Sequence, residues 1–235
     1  MTDNERQRYA RHISLDGVGA EGQERLLKAR VLIVGAGGLG SPVAMYLAAA
    51  GVGRIGIIDA DVADVSNLQR QVIHFTADAG RPKVESAKEK MLQINPDITV
   101  DAYHELLTPA NADRLLAGYD MVVDATDNFA AKFLVNDTCC RLALPFVYAG
   151  VLRFSGQVMT HTPGTADLRS VFGPEPPAGF VPNARQAGVL GPVVGMLGTI
   201  QATEVLKYLT GAGCLLTNRL LTVDTLTMDF KVISL

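Results

Sequence analysis

The stretch of sequence that decides the fold runs from Val31 to Gly40 and reads Val-Leu-Ile-Val-Gly-Ala-Gly-Gly-Leu-Gly. Its unbroken apolar start is typical of a strand that is buried on both faces of a parallel sheet. The glycines that follow permit a tight turn and let backbone N–H groups approach a phosphate at a helix N-terminus. The Ala-rich segment Ser41 to Ala50 predicts that helix.

A second buried strand is predicted from Arg54 to Ile58, directly before Asp59. An acidic side chain at this point can accept hydrogen bonds from the hydroxyls of a ribose. Strand, glycine loop, helix and spaced acid together predict a nucleotide site. The residues assigned to it from this pattern are Gly35, Gly37, Gly38, Gly40 and Asp59.

Strands and helices continue to alternate along the chain, which predicts an α/β fold with a doubly wound, mostly parallel, Rossmann-like sheet. Further strands are expected at 98–102, 121–123 and 146–148, and helices at 5–12, 20–28, 83–93, 110–116 and 130–142. After residue 150 the pattern changes, with strands at 156–161, 219–224 and 228–233 and a long helix at 193–209. These predict a C-terminal extension of antiparallel strands, and the proline-rich segment 162–188 is predicted to be a loop.

We expect a single domain over residues 1–235. It divides into N-terminal helices (1–30), a nucleotide-binding core (31–150), and a crossover loop with the C-terminal part (151–235). A 48% share of hydrophobic residues provides for a sizeable core. The formal charge of −3 gives no electrostatic reason to expect nucleic acid or an anionic membrane as partner. The first residues are polar and lack the apolar core that a signal peptide has, and the odd number of cysteines suits a reducing cytoplasm, so we expect a cytoplasmic protein.

The glycine fingerprint fits NAD as well as ATP, and cations further along the chain favour ATP. Arg70 and Lys83 carry charges that could reach a triphosphate, although either alone would be read as surface charge. Asp127 follows the strand that ends near Val123, at the edge where open α/β sheets bind ligands. A carboxylate there could hold Mg²⁺ together with phosphate oxygens, and it could equally be the N-cap of the next helix.

Ordered motifs over nearly the whole chain give a family resemblance. They lie at residues 8–12, 34–40, 59–61, 66–71, 81–83, 95–96, 124–128 and 187–192. With these motifs the chain resembles the ThiF/MoeB/HesA family, bacterial relatives of ubiquitin-activating enzymes. The resemblance implies a homodimer that uses ATP to adenylate the C-terminal Gly-Gly carboxylate of a small ubiquitin-like β-grasp protein similar to ThiS or MoaD, releasing pyrophosphate. A peptide C-terminus is an alternative acceptor.

The resemblance also implies roles for individual residues. Gly38 and Asp59 would hold the adenosine end, Asn67 and the two cations would contact phosphates, and Asp127 would bind Mg²⁺. Arg11 would reach the ATP of the other subunit, so that the catalytic set is Arg11, Arg70, Lys83 and Asp127. The remaining residues assigned to ATP binding are Asp61, Ser66, Gln69 and Asn128.

Two departures from the family pattern limit these expectations. Asp167-Leu168-Arg169-Ser170 stands where family members often carry Cys-x-x-Cys, and no second cysteine pair follows, so we predict no zinc site. Ala184 stands where the family often has a cysteine, and alanine cannot act as a nucleophile. Cys139 and Cys140 are interpreted as core residues of an apolar helix.

Three hypotheses follow. The first is an ATP-dependent adenylyltransferase, and the second is a non-catalytic ATP-binding scaffold of the same family. The third, an NAD-dependent oxidoreductase, rests on the glycine loop alone and does not account for the cations; a thermal-shift comparison of ATP with NAD would separate it.

Overall fold

The computed structural model of the chain describes residues 1–177 and 184–235. Eight strands form one sheet: β1 (Arg30–Val34), β2 (Arg54–Ile58), β3 (Thr99–Tyr103), β4 (Met121–Asp124), β5 (Phe146–Leu152), β6 (Ser155–His161), β7 (Arg219–Asp224) and β8 (Asp229–Ser234). Ten α-helices are described: α1 (Asp3–Arg8), α2 (Ala10–Ile13), α3 (Gly19–Lys28), α4 (Gly40–Ala50), α5 (Lys83–Ile94), α6 (Ala112–Leu116), α7 (Phe129–Arg141), α8 (Leu168–Phe172), α9 (Ala184–Ala187) and α10 (Gly191–Thr210).

The strand order in the sheet is β3-β2-β1-β4-β5-β6-β7-β8. The first five of these run parallel to one another, and β6, β7 and β8 continue the sheet in antiparallel pairs, beginning with β5–β6. The predicted doubly wound, mostly parallel sheet with an antiparallel C-terminal extension is therefore confirmed. The chain leaves β1 for β2 on one side and returns to β4 on the other, which creates a crevice at the carboxyl ends of β1 and β4.

Helices cover both faces of the parallel part of the sheet. Val31 and Ile33 point to a core built with α4, α5 and α10, whereas Leu32 and Val34 point to a core with α6 and α7. This alternation has the period of two that a strand imposes on its side chains. Because both faces of β1 are buried, its sequence is apolar throughout Val31 to Val34.

Two sequence predictions need correction. The predicted helix 5–12 is divided into α1 and α2 at Tyr9, whose φ of −100° and ψ of 16° interrupt the helix. The buried Tyr9 hydroxyl accepts a hydrogen bond from Asn95 Nδ2 at 2.9 Å, so a tertiary contact decides this break. The segment 162–188 is not a plain loop, because it contains α8 and α9. No helix in the described part of the chain is long and apolar enough to span a membrane.

Candidate functional site

The glycine loop lies at the crevice between β1 and β4. Gly35 has a φ of +106°, and a Cβ atom there would lie 2.6 Å from the carbonyl oxygen of Ala125. A Cβ on Gly40 would collide with the carbonyl oxygen of Gly35. Both positions therefore require glycine, one for its conformation and both for space, and the loop turns tightly from β1 into α4.

Hydrogen bonds fix the backbone of this loop. The N–H of Ala36 donates to Asp59 Oδ2 at 2.8 Å, and the carbonyl of Ala36 is bonded to His74 Nε2, also at 2.8 Å. The carbonyl of Gly37 accepts from the backbone and the hydroxyl of Ser41, at 2.9 and 2.7 Å. These hydrogen bonds hold the peptide units at Ala36 and Gly37 in the observed orientation.

The N–H groups of four successive residues remain without a hydrogen-bond partner among residues 1–177 and 184–235. They belong to Gly37, Gly38, Leu39 and Gly40. These N–H groups lie at the N-terminus of α4, where the helix dipole favours negative charge. This arrangement is suited to bind phosphate oxygens.

Asp59 and Asp61 are brought to the same place as the loop. Asp59 Oδ1 accepts from the N–H of Asp61 at 2.8 Å, so both carboxylate oxygens of Asp59 are anchored by backbone while lone pairs remain for hydroxyl donors. Asp61 is exposed and forms an ion pair with the buried Lys83 ammonium at 2.8 Å. The structure therefore joins Asp59, Asp61 and Lys83 in one cluster, as the sequence predicts for a site.

The segment Ser66 to Gln71 packs against the glycine loop. The aliphatic part of Arg70 lies beside Gly38, and its guanidinium donates to the carbonyl of Ser66 at 3.2 Å. Gln69 contributes its backbone carbonyl, which packs on Gly191 at the start of α10. Ser66 is exposed and Asn67 is half-buried on the same short turn. The structure thus brings Arg70 to the loop.

Asp127 and Asn128 follow β4 on the other side of the crevice. Asn128 caps α7, because its Oδ1 accepts from the N–H of Ala131 at 2.9 Å. Asn128 thus takes the N-cap role that the sequence left open for Asp127. Asp124, at the end of β4, is fully buried and paired with Lys132 at 3.2 Å. Asp127 is exposed, and within the described residues its carboxylate accepts only one hydrogen bond, from Asn128 at 3.3 Å. Of these acidic groups, Asp127 is therefore the one that is available to bind a cation.

Arg11 does not join this cluster within one chain. It is exposed on α2, and Tyr9 at the start of α2 packs on Gly51, at the carboxyl end of α4. The glycine loop lies at the opposite end of this 11-residue helix, about 16 Å away at the rise of an α-helix.

Sequence reasoning missed His74 and Ser41, which hold the loop without facing solvent. His74 is 3% exposed, and its pKa is lowered by burial and by the nearby Lys83 ammonium. Ser41 is fully buried at the first turn of α4. The sequence shows a histidine in an apolar segment and a serine at a predicted helix N-terminus. Neither pattern indicates that these side chains hold the loop, which becomes evident only from their hydrogen-bond partners in the fold.

Neither Cys139 nor Cys140 is activated as a nucleophile. Cys139 is buried, which raises its pKa, as predicted for a core residue. Cys140 is exposed, contrary to the prediction, and its thiol lies beside His161 and Asp167. Partial burial and the neighbouring Asp167 carboxylate raise the pKa of Cys140 to about 11, so its thiolate is scarce at neutral pH. Position 184 begins α9, and its side chain lies outside the described part of the structure.

The positions that replace the expected cysteine pair have a structural use. Asp167 caps α8 and exchanges hydrogen bonds with Ser170 at 2.8 Å in both directions. Among the residues that the structure describes, no group of three or more His, Cys, Asp or Glu side chains is placed to hold a metal ion. The absence of zinc stays a prediction, since no finding tests it.

A Rossmann-like sheet with four N–H groups at a helix N-terminus, unpartnered within residues 1–177 and 184–235, is typical of nucleotide-binding proteins of the α/β class. Comparison with known sequences makes the assignment more specific. The chain belongs to the ThiF family, whose profile matches residues 9–235.

Curated relatives and solved structures agree with this family. The chain is 45% identical over 233 residues to the probable adenylyltransferase/sulfurtransferase MoeZ of Mycobacterium tuberculosis, covering 97% of this chain but 59% of that protein. It is 44% identical over 236 residues to the sulfur carrier protein adenylyltransferase of Thermus thermophilus, covering 98% of this chain and 87% of the relative. A crystal structure of E. coli MccB with AMPCPP and MccA matches with a TM-score of 0.86 and 26% identity, covering 100% of this chain and 72% of MccB.

Proposed function

We propose that this chain is an ATP-dependent adenylyltransferase that activates the C-terminal carboxylate of a small ubiquitin-like protein or of a peptide. The observation that carries the proposal is the row of four N–H groups from Gly37 to Gly40, which have no partner among the described residues. Arg70 lies beside Gly38, and the Lys83–Asp61 ion pair is joined to the loop through Asp59. The names of relatives support the reaction: one adenylates a sulfur carrier protein, and MccB was solved with an ATP analogue and MccA.

The reaction joins two anions, so the protein has to neutralise charge and fix geometry. A carboxylate oxygen of the acceptor attacks the α-phosphorus of ATP, the bond from that phosphorus to the bridging oxygen breaks, and pyrophosphate leaves with the bond electrons. In this proposal the loop N–H groups and the guanidinium of Arg70 bind phosphate oxygens, and Asp59 holds the ribose. Such transfers depend on positioning and electrostatic stabilisation more than on covalent help.

The exposed Asp127 fits a magnesium ion, since Mg²⁺ is commonly held by one or two carboxylates and substrate phosphates. Bound Mg²⁺ would neutralise charge on the phosphates during the reaction. Lys83 is held by Asp61 at 2.8 Å and can be shared with a phosphate that arrives at the same cluster. Ser66, Asn67, Gln69 and Asn128 complete the proposed ATP-binding set on the two sides of the crevice.

The proposal includes a homodimer in the cytoplasm. Tyr9, two residues before Arg11, packs at the carboxyl end of α4, whereas the glycine loop lies at its N-terminus, and this supports the proposal that Arg11 contacts the ATP of a second subunit. The three cysteines are all free in the structure, which agrees with a reducing compartment. Because residue 184 is alanine, we propose that the acyl-adenylate is the product of this chain and that sulfur is delivered by another protein.

ATP–pyrophosphate exchange tests the proposal. The wild-type chain with Mg²⁺ and a Gly-Gly-ending β-grasp protein is expected to exchange label, and Asp127→Ala should lower the rate about 10²- to 10³-fold. Asp113→Ala is the matched control. Asp113 lies on α6, away from the loop, and its exposed carboxylate is paired with Arg141. ATP binding without exchange for any Gly-Gly protein or peptide would refute the adenylyltransferase and favour a scaffold. Binding of NAD in preference to ATP would refute both.

A further inference from the structure

The peptide unit between Ala36 and Gly37 is oriented by a buried side chain. His74 Nε2 lies 2.8 Å from the Ala36 carbonyl oxygen, and His74 Nδ1 lies 2.8 Å from Ser86 Oγ. A carbonyl oxygen can only accept, so Nε2 carries the proton and donates. Nδ1 of the neutral ring then accepts from the Ser86 hydroxyl, which fixes the tautomer.

The orientation of this carbonyl decides where the next N–H points. The peptide unit is planar and trans, so the C=O of Ala36 and the N–H of Gly37 point in opposite directions. With its carbonyl turned to the buried His74, the unit turns the Gly37 N–H away from His74. Within the described residues that N–H has no partner. A flipped unit would instead present a carbonyl oxygen to an anion.

His74 is itself held by a buried chain of polar groups. Ser86 lies 3.4 Å from the Lys90 ammonium, and Lys90 is paired with Asp78 at 2.7 Å. All four side chains are less than a tenth exposed. Ser86 and Lys90 lie on α5, Asp78 lies on the short 3-10 turn 76–78, and His74 stands two residues before that turn. Rigid elements therefore support the ring, so it can hold the loop peptide against the pull of a bound ligand.

We propose that His74 is a positioning residue of the nucleotide site, which holds the Ala36–Gly37 peptide so that the Gly37 N–H is presented to a phosphate oxygen. This inference rests on the proposed use of ATP. It assigns His74 no contact with substrate. It requires that a hydrogen-bond donor be present at the position of Nε2, and not merely that the space be filled.

Graded substitutions distinguish positioning from packing. His74→Leu removes the donor, whereas His74→Gln keeps a side-chain N–H that can reach the Ala36 carbonyl. His161→Leu is the matched control, because His161 is also a buried histidine, 5% exposed, that is bonded to a backbone carbonyl, that of Ala166. It pairs with Phe146 at the amino end of β5, whereas the glycine loop follows the carboxyl end of β1. Exchange kinetics with ATP and a Gly-Gly acceptor, together with calorimetric ATP affinity, would be measured for each.

We expect His74→Leu to lower kcat/KM for ATP by about 10- to 100-fold, with His74→Gln recovering most of it and His161→Leu near wild type. Equal losses in both His74 variants, or a loss no larger than in His161→Leu, would overturn the positioning role. If His74→Leu does not fold, Ser86→Ala replaces it and should show a smaller loss of the same kind.

Nitrogen-15 NMR of the histidine ring separates this inference from the proposed function. The neutral ring of His74 should be protonated at Nε2 at pH 7 without nucleotide, and the opposite tautomer would overturn the inference. If the wild-type protein shows the expected tautomer but does not bind ATP, the hydrogen bonds of His74 are confirmed. The proposed function is then refuted, and so is the role of His74 in positioning the Gly37 N–H for a phosphate.

Discussion

Two regions rich in polar side chains differ in how many of their groups already have partners. At the glycine loop, four N–H groups and the Asp127 carboxylate have little or no protein partner among the described residues. At the α7–α8 junction, formed by Asn136, Asp137, Asp167, Leu168 and Arg169, the polar groups pair with one another. Because unpaired polar groups cost stability, the first region fits a ligand site and the second fits a structural contact.

The junction shows how a polar contact can anchor a segment without metal. Asn136 Oδ1 accepts from the Leu168 N–H at 2.8 Å, and Nδ2 donates to Asp167 at 3.2 Å. Arg169 forms two hydrogen bonds to Asp137 at 2.6 and 2.7 Å and lies 5.0 Å from the centre of the Phe133 ring. Leu168 is buried beneath them. The segment after β6 is thereby fixed to α7.

The largest expected effect comes from replacing one arginine in each of the two regions with alanine. Arg70→Ala should lower ATP–pyrophosphate exchange about 10²- to 10³-fold, because a cation beside the glycine loop is lost. Arg169→Ala is the control, since it removes a half-exposed ion pair worth about 0–1 kcal/mol and should leave exchange near wild type. Equal losses of exchange in the two variants would contradict the division into a ligand site and a structural contact.

Substitution of Asn136 should affect stability rather than activity. Asn136→Ala leaves the buried N–H of Leu168 without its acceptor, at a cost of about 1–3 kcal/mol in the free energy of unfolding. Urea denaturation measures this loss, and exchange per folded molecule should be unchanged. The control Thr203→Ala alters an exposed hydroxyl on α10. An Asn136 variant with wild-type stability would show that the junction does not anchor the segment.

The contrast between the regions also explains what sequence reasoning could find. Gly35 is required by its positive φ and Gly40 by the nearby Gly35 carbonyl, and Asp59 stands at a strand end, so short-range pattern was sufficient to select these positions. His74 and Asn136 act through partners far along the chain, at Ala36 and Leu168, and only the fold brings these together. The same holds for the break at Tyr9, which depends on Asn95.

Acid should weaken the support behind the glycine loop. Burial alone would raise the pKa of Asp78, but hydrogen bonds from Lys90 and the Phe75 N–H outweigh it and lower the pKa to about 2. A carboxylate with a lowered pKa contributes stability that is present above its unfolded pKa near 3.9 and is lost as pH falls toward 2. The contribution is about 2 kcal/mol.

Unfolding free energy measured from pH 6 to pH 2 checks this. Asp78→Asn should have lower stability at pH 6 and a flatter dependence below pH 4 than the wild type. The comparison variant Asp113→Asn changes an exposed carboxylate whose pKa is lowered by Arg141. If Asp78→Asn kept the wild-type slope below pH 4, the ion pair with Lys90 would not be the source of the acid sensitivity.

The smallest effect is expected for Cys140, which borders the structural region. Its thiol lies 3.8 Å from His161 Nε2 and 3.6 Å from Asp167, an arrangement that resembles an activated nucleophile. Partial burial opposes formation of a thiolate, and the Asp167 carboxylate adds to this, so the pKa rises to about 11. Cys140→Ser should therefore leave exchange and adenylate formation within about twofold of wild type, as expected of a surface substitution. Mass spectrometry that detected an acceptor thioester on Cys140 would contradict this and would place covalent chemistry at the α7–α8 junction.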